Sequence, residues 1–219
     1  MRKAGLIKEQ QRYRMLETAG INAVQGANLL SVDIQPEYAK AFGFDVYDYL
    51  NFLNKNIEVL NSLTFLYNGT DTVGGVSENE YKYWLVENGF EEENLDYSRF
   101  YDKGYAFFRY CIDEGIDDDD IVALVKFMIK HDINDSRDID EQMWVDFMKE
   151  TGADQSDVRE LLEYAGDMIN IPELMNYLGD YGGRIVLTGG GINECLKEVE
   201  IALMVLDKPY NVLTQYTYY

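Results

Sequence analysis

The chain has 219 residues, enough to bury a sizeable core in one α/β-sized domain, and its 47% apolar content is normal for a globular protein. Its 40 Asp and Glu against 19 Lys and Arg leave a formal charge of −21, which argues against phosphate-directed nucleic-acid binding and reads first as a solubilising acidic surface. The two cysteines are too few for a disulfide scaffold or a four-ligand zinc site and fit a reducing cytoplasm, while no apolar run is long enough to span a bilayer and no signal-peptide pattern is present.

Residues 1–20 hold five basic side chains (Arg2, Lys3, Lys8, Arg12, Arg14) and read as helix, so 1–27 is expected to be an N-terminal helical arm. Asn28–Asp33 is a short apolar run of the kind that forms a buried parallel strand. Val46, Tyr49, Leu50, Leu53, Ile57 and Leu60 repeat at helical spacing, and Ser62–Tyr67 reads as a second strand ended by Asn68-Gly69. Ser77 and Glu80 form a capping box for a helix over 78–88, and a weaker strand follows at Asp96–Tyr101. Strands alternating with helices predict right-handed crossovers and a parallel sheet covered on both faces.

After Phe108 the rhythm changes. Residues 112–170 carry 18 Asp and Glu against five Lys and Arg, yet apolar stripes persist (Ile121, Leu124, Val125, Met128; then Leu161, Leu162, Ala165). An acidic helical insertion is therefore expected there. Asp117–Asp120 lacks the alternating spacing and central glycine of a calcium loop and suits a helix start, while His131 suits a helix end. Cys111 lies in an apolar helical run and reads as core. The chain then returns through Ile171–Leu178 to a strand at 185–188. A helix opening at Cys195 follows, with Leu196, Val199, Ala202, Leu203 and Leu206 on its inner face, and then a last strand at Tyr210–Gln215.

Three strand ends carry chemistry. Cys195 follows Gly189-Gly190-Gly191-Ile192-Asn193-Glu194 and sits in the first turn of a helix, where the dipole stabilises a thiolate. Asp33 closes an apolar strand, where core packing does not explain a carboxylate, although a helix cap would. Lys103 follows the third strand and precedes Gly104-Tyr105-Ala106-Phe107-Phe108. In a parallel sheet the carboxyl ends of strands line the ligand crevice, so the three residues can converge on one pocket. Asp33 would then take the thiol proton, Lys103 would hold the pair, and Cys195 would attack an sp² carbon. The plain alternatives are a structural thiol and a solvated lysine. The glycines also suit a phosphate cradle, but the segment lacks the Lys-Ser/Thr of a P-loop.

At these residues the chain resembles the isochorismatase-like cysteine hydrolases, a superfamily that includes isochorismatases, nicotinamidases, N-carbamoylsarcosine amidases and ureidoacrylate amidohydrolases. Leu29-Leu-Ser-Val-Asp-Ile-Gln35, Lys103-Gly-Tyr-Ala-Phe107 and Val186–Cys195 are similar, in that order, to its strand, lysine and nucleophile motifs. The resemblance implies a Rossmann-like three-layer αβα domain made of 28–111 and 171–219, with an Asp33–Lys103–Cys195 triad and a thioester-type intermediate. It further implies a cis peptide between Gly190 and Gly191, and backbone N–H groups of Gly191 and Cys195 as the oxyanion hole. Gln35, Tyr105, Phe108, Gly190 and Asn193 become candidates for the pocket. Family members are commonly dimers or tetramers, so a homo-oligomer is expected.

The departures narrow this picture. Nicotinamidases of the superfamily carry metal-binding histidines, whereas Tyr67-Asn-Gly-Thr-Asp71-Thr-Val73 has none, so neither metal nor cofactor is expected. Glycines at 190 and 191 ease a cis bond but are expected to loosen the loop. Two functions follow: a cysteine hydrolase of a small-molecule amide or carbamoyl C–N bond, or a non-catalytic binding or inhibitory protein whose acidic insertion docks a basic partner. A weaker variant of the second keeps the pocket to sequester a small ligand.

Overall fold

The structure is a computed structural model describing residues 14–17, 21–34, 40–67, 78–91, 96–99, 108, 111–133, 138–152 and 177–218. The chain divides into two compact units, one of Met1–Tyr101, Tyr181–Lys197 and Pro209–Tyr219, the other of Asp102–Asp180 and Glu198–Lys208.

The first unit is built on a sheet of six strands: β1 (Arg14–Glu17), β2 (Asn28–Val32), β3 (Ser62–Tyr67), β4 (Asp96–Arg99), β5 (Ile185–Gly189) and β6 (Tyr210–Leu213). Their order is β1-β6-β5-β2-β3-β4, and every neighbouring pair is parallel. This is a mixed α/β architecture consistent with a Rossmann-like fold. β2 and β5 are buried at every position, Leu29 and Leu30 alike, as near-continuous apolar strands of a parallel sheet are.

Among the described residues this unit includes the helices α1 (Ile21–Val24), α2 (Val46–Asn56) and α3 (Glu78–Glu87). In α2 Val46, Tyr49, Leu50 and Leu53 of the predicted stripe are buried, while Ile57 and Leu60 lie beyond the end of the helix and are half-buried, and Asp45 caps the helix by accepting from the Asp48 N–H at 3.0 Å. The core joins Leu29, Phe65, Val186 and Leu213 of the sheet to Tyr49 and Leu53 of α2 and Leu85 of α3. Fully burying each such leucine contributes about 1.5–3 kcal/mol. Ser77, the expected cap of α3, lies outside the described residues.

One polar cluster is sealed inside this apolar layer. The Tyr49 hydroxyl donates to Ser31 Oγ at 2.6 Å and shares a hydrogen with Thr188 Oγ1 at 2.5 Å, tying α2 to the two central strands. Burial drives the Tyr49 pKa far above its ordinary value, so it stays a neutral phenol. Tyr49→Phe strips both buried hydroxyls of a partner. It is expected to lower stability by about 1–3 kcal/mol in a denaturant melt.

Of the N-terminal helical arm expected over 1–27, Ile21–Val24 is helical but Arg14–Glu17 is corrected. Arg14–Glu17 is a strand paired in parallel with β6, in the register Arg14↔Tyr210 to Glu17↔Leu213. A four-residue segment has little helical stability of its own, and the unpaired backbone groups along β6 offer it a complete ladder.

In the second unit, α4 (Asp118–Lys130) and α5 (Glu141–Thr151) take up the acidic stretch. Asp117 is the N-cap of α4, accepting from the Asp119 N–H at 3.0 Å, and His131 is its C-cap. Ile121, Leu124, Val125 and Met128 are buried, as their spacing predicts. Exposed Lys130 meets Glu150 of α5 at 2.7 Å, a contact that holds the Glu150 carboxyl below its usual range but adds little stability in water. The stripe expected at Leu161, Leu162 and Ala165 lies outside the described residues.

The helix α6 (Cys195–Val205) is buried around its circumference, Glu198 and Glu200 included, where the spacing predicted a single inner face. Ile201, Met204 and Val205 extend the buried apolar surface beyond the predicted face. Among the described residues no helix is long and apolar enough to cross a membrane.

Candidate functional site

Strand order defines where a ligand crevice should lie. From β2 the chain steps outward through β3 and β4, then resumes at β5 on the other side of β2 and continues to β6. The switch point is therefore the carboxyl end of the β2–β5 pair, where Val32 is in register with Gly189. Asp33 follows directly from β2. Six residues beyond β5, Cys195 opens α6.

These two side chains meet. The Cys195 Sγ–H donates to Asp33 Oδ2 at 3.1 Å, across 162 residues of sequence, and both residues are buried. Burial makes an isolated carboxylate costly, and the thiol supplies it with a hydrogen bond. The carboxylate is positioned to accept the thiol proton, and the helix dipole at Cys195 favours the thiolate that would result.

The backbone of Asp33 is held in a left-handed conformation, φ 42°, which costs a non-glycine residue about 1–3 kcal/mol. The Asp33 N–H donates to the Leu66 carbonyl of β3 at 2.6 Å, and the Tyr218 hydroxyl donates to the Asp33 carbonyl at 3.5 Å.

The glycine loop differs from its expected form. Among the described residues no peptide bond is cis, so the Gly190–Gly191 expectation is corrected. Two successive left-handed glycines, Gly189 at φ 74° and Gly190 at φ 58°, reverse the chain with trans bonds, because neither has a Cβ to oppose that conformation. Nor is the loop loose. The Ile192 N–H donates to the Tyr218 carbonyl at 2.8 Å, the Tyr218 N–H to Gly190 at 3.2 Å, and the Glu194 and Leu196 N–H groups both donate to the Gly191 carbonyl.

Gly191 has a close neighbour. A Cβ placed on it would meet Glu194 Cγ and Oε2, each at 3.2 Å, so the Glu194 side chain folds over this glycine. A carboxylate thus lies beside the backbone where an oxyanion was expected to be received.

Of the other expected pocket residues, Gly190 is buried, Asn193 is exposed, and Phe108 is buried in the second unit. Gln35, Lys103 and Tyr105 lie outside the described residues. Among the described residues no group of His, Cys, Asp and Glu is arranged to hold a metal ion. Sequence reasoning missed Tyr218, Leu66 and Glu194. Only Glu194, an acidic residue inside the nucleophile motif, carried any local signal; the other two act through backbone or through a distant strand.

The second thiol provides an internal control. Cys111 is fully buried and burial pushes its pKa up to about 12. Its neutral form is thus favoured by folding, a contribution complete below the ordinary value of 9.0 and lost as pH rises through about 12. At pH 7–8, iodoacetamide is expected to modify one cysteine per native chain, with peptide mass mapping placing it at Cys195 and Cys111 labelled only after denaturation.

Compared with protein-family models, curated proteins and solved structures, the chain matches nothing.

Proposed function

We propose that this chain is an isochorismatase-like cysteine hydrolase of a small-molecule amide or carbamoyl C–N bond. The observation that carries the reading is the buried Cys195–Asp33 hydrogen bond at the switch point of a parallel sheet. In this reading Asp33 removes the thiol proton as Cys195 Sγ attacks the carbonyl carbon, and the proton passes to the departing nitrogen. A thioester and an amine or ammonia result. Water, deprotonated by Asp33, then attacks the thioester, releasing a carboxylic or carbamic acid and restoring the thiol.

A thiolate beside a carboxylate is a repulsive pair, and the family resemblance supplies Lys103 as the cation that would offset it. It likewise assigns the Gly191 and Cys195 N–H groups to the oxyanion. The same reading includes a three-layer αβα domain with 112–170 as an acidic insertion, a cytoplasmic setting and a homo-oligomer.

The test is a panel of small aliphatic, aromatic and ureido amides, read by ammonia release and by intact-mass detection of an acyl adduct on Cys195. Turnover with a trapped adduct supports the proposal. A protein that releases no ammonia from any of them, and whose Cys195 is no more reactive than a buried thiol, overturns it.

The Glu194 carboxylate over Gly191 favours a second reading, because a fixed negative charge opposes an oxyanion there. In that reading the chain is a binding or inhibitory protein whose acidic 112–170 segment docks a basic partner. Glu194→Gln separates the two: it raises turnover in a hydrolase and creates none in a binding protein.

A further inference from the structure

The first unit contains a cavity of about 370 Å³ lined by Lys40, Phe44, Asp45, Val46, Tyr47 and Trp84. This volume lies within the range of about 300–1,000 Å³ typical of small-molecule pockets. Neither Asp33 nor Cys195 is among these residues.

Its walls are aromatic and supported from behind. Phe44 packs on Tyr49 and on Tyr218, each with ring centroids 5.6 Å apart, and Trp84 packs on buried Tyr81 at 5.8 Å. Tyr47, which lines the cavity, is 78% exposed. Aromatic rings around a concave surface offer stacking and edge contacts to another ring.

The cavity also presents one charge of each sign. Lys40 makes no ion pair among the described residues. The Asp45 carboxylate is held in place by its cap to the Asp48 N–H, which engages only one of its oxygens. A purely anionic ring compound would meet Lys40 but be repelled by Asp45 and by a chain of net charge −21. A purely cationic one would meet Asp45 but be repelled by Lys40. A ring carrying both an ammonium and a carboxylate satisfies both side chains, and its ring fills the aromatic walls.

We propose that this cavity binds a zwitterionic aromatic compound of the aromatic amino-acid class. The ligand carboxylate pairs with Lys40, its ammonium pairs with Asp45, and its ring packs between Phe44 and Trp84.

The test uses the full chain with Trp144→Phe, which leaves Trp84 as the only indole. L-phenylalanine, 2-phenylethylamine and 3-phenylpropionate are titrated while Trp84 emission is followed. L-phenylalanine is expected to saturate with a Kd about tenfold below either singly charged compound, a difference worth about 1.4 kcal/mol. Lys40→Met should then reduce L-phenylalanine to the affinity of phenylethylamine. Asp45→Asn, which preserves the cap, should reduce it to that of phenylpropionate. Both residues are exposed, and unchanged thermal melts confirm that the variants fold. No saturable change with L-phenylalanine at millimolar concentration, equal affinities for the three compounds, or variants that bind like the parent would each overturn the proposal.

Discussion

If the chain is the proposed hydrolase, Cys195→Ala is expected to abolish amide hydrolysis while leaving the fold in place. Removing the nucleophile of a covalent mechanism costs about 10⁴-fold or more in kcat, because the remaining groups have nothing to deliver. The structural cost is small by comparison. Cys195 is 9% exposed, opens a helix, and loses a sulfur and its weak hydrogen bond to Asp33, worth about 1 kcal/mol. For a chain of this size that is a shift of about 2–4 °C in Tm. Asp33→Asn tests the other half of the pair: it keeps an acceptor for the thiol but removes the base, so kcat should fall by about 10²–10⁴. Rates are measured on whichever amide of the panel is turned over, with circular dichroism melts alongside. A Cys195→Ala protein that retains activity, or that loses its cooperative melt, contradicts the placement of this residue.

Gly189→Ala is expected to damage the protein more than any other single methyl in the loop. A Cβ there meets the Val32 carbonyl oxygen at 2.6 Å and two carbons of the Ile34 side chain at 2.8 and 2.9 Å, and the residue sits at φ 74°. The left-handed backbone alone costs about 1–2 kcal/mol, and overpacking against β2 adds about 1–3. The loop lies between β5 and the dyad, so thiol reactivity should fall together with Tm. Gly190→Ala is milder, with contacts of 3.2 Å to the Val32 oxygen and 3.3 Å to the Leu196 nitrogen at φ 58°. Gly191→Ala is milder still, since it meets only the Glu194 side chain and needs no positive φ. Thermal melts of the three variants should rank 189, 190, 191 from most to least destabilised. Any other order shows that the loop is not held as described.

That ranking bears on how the glycine run was read from sequence. The three glycines suggested a loose turn, and the family resemblance implied a cis bond within it. The structure shows two positions where a side chain has no room and one where the neighbour can give way. The difference arises because a glycine's role depends on what lies opposite it. Val32 and Ile34 are more than 150 residues upstream and invisible to any local pattern. The same holds for Tyr218, which joins the loop to the Asp33 carbonyl through a hydroxyl and two backbone groups.

Local pattern did specify the elements whose signal lies within a few residues. The apolar run 28–33, the i, i+3, i+4, i+7 stripe of α2 and the helix start within Asp117–Asp120 all record burial or helix-terminus preferences that the segment itself demands. Arg14–Glu17 had no such demand. Its strand exists because β6 presents an unpaired edge, a fact about another part of the chain. The chemistry was divided in the same way. By itself the sequence determined that a thiol follows glycines at a helix start and that a carboxylate ends an apolar strand, because residue type and spacing are local properties. Only the tertiary structure decided that β2 and β5 are neighbours at the switch point. Strand order is a global property, and it brings Asp33 within 3.1 Å of Cys195 while laying Glu194 over Gly191.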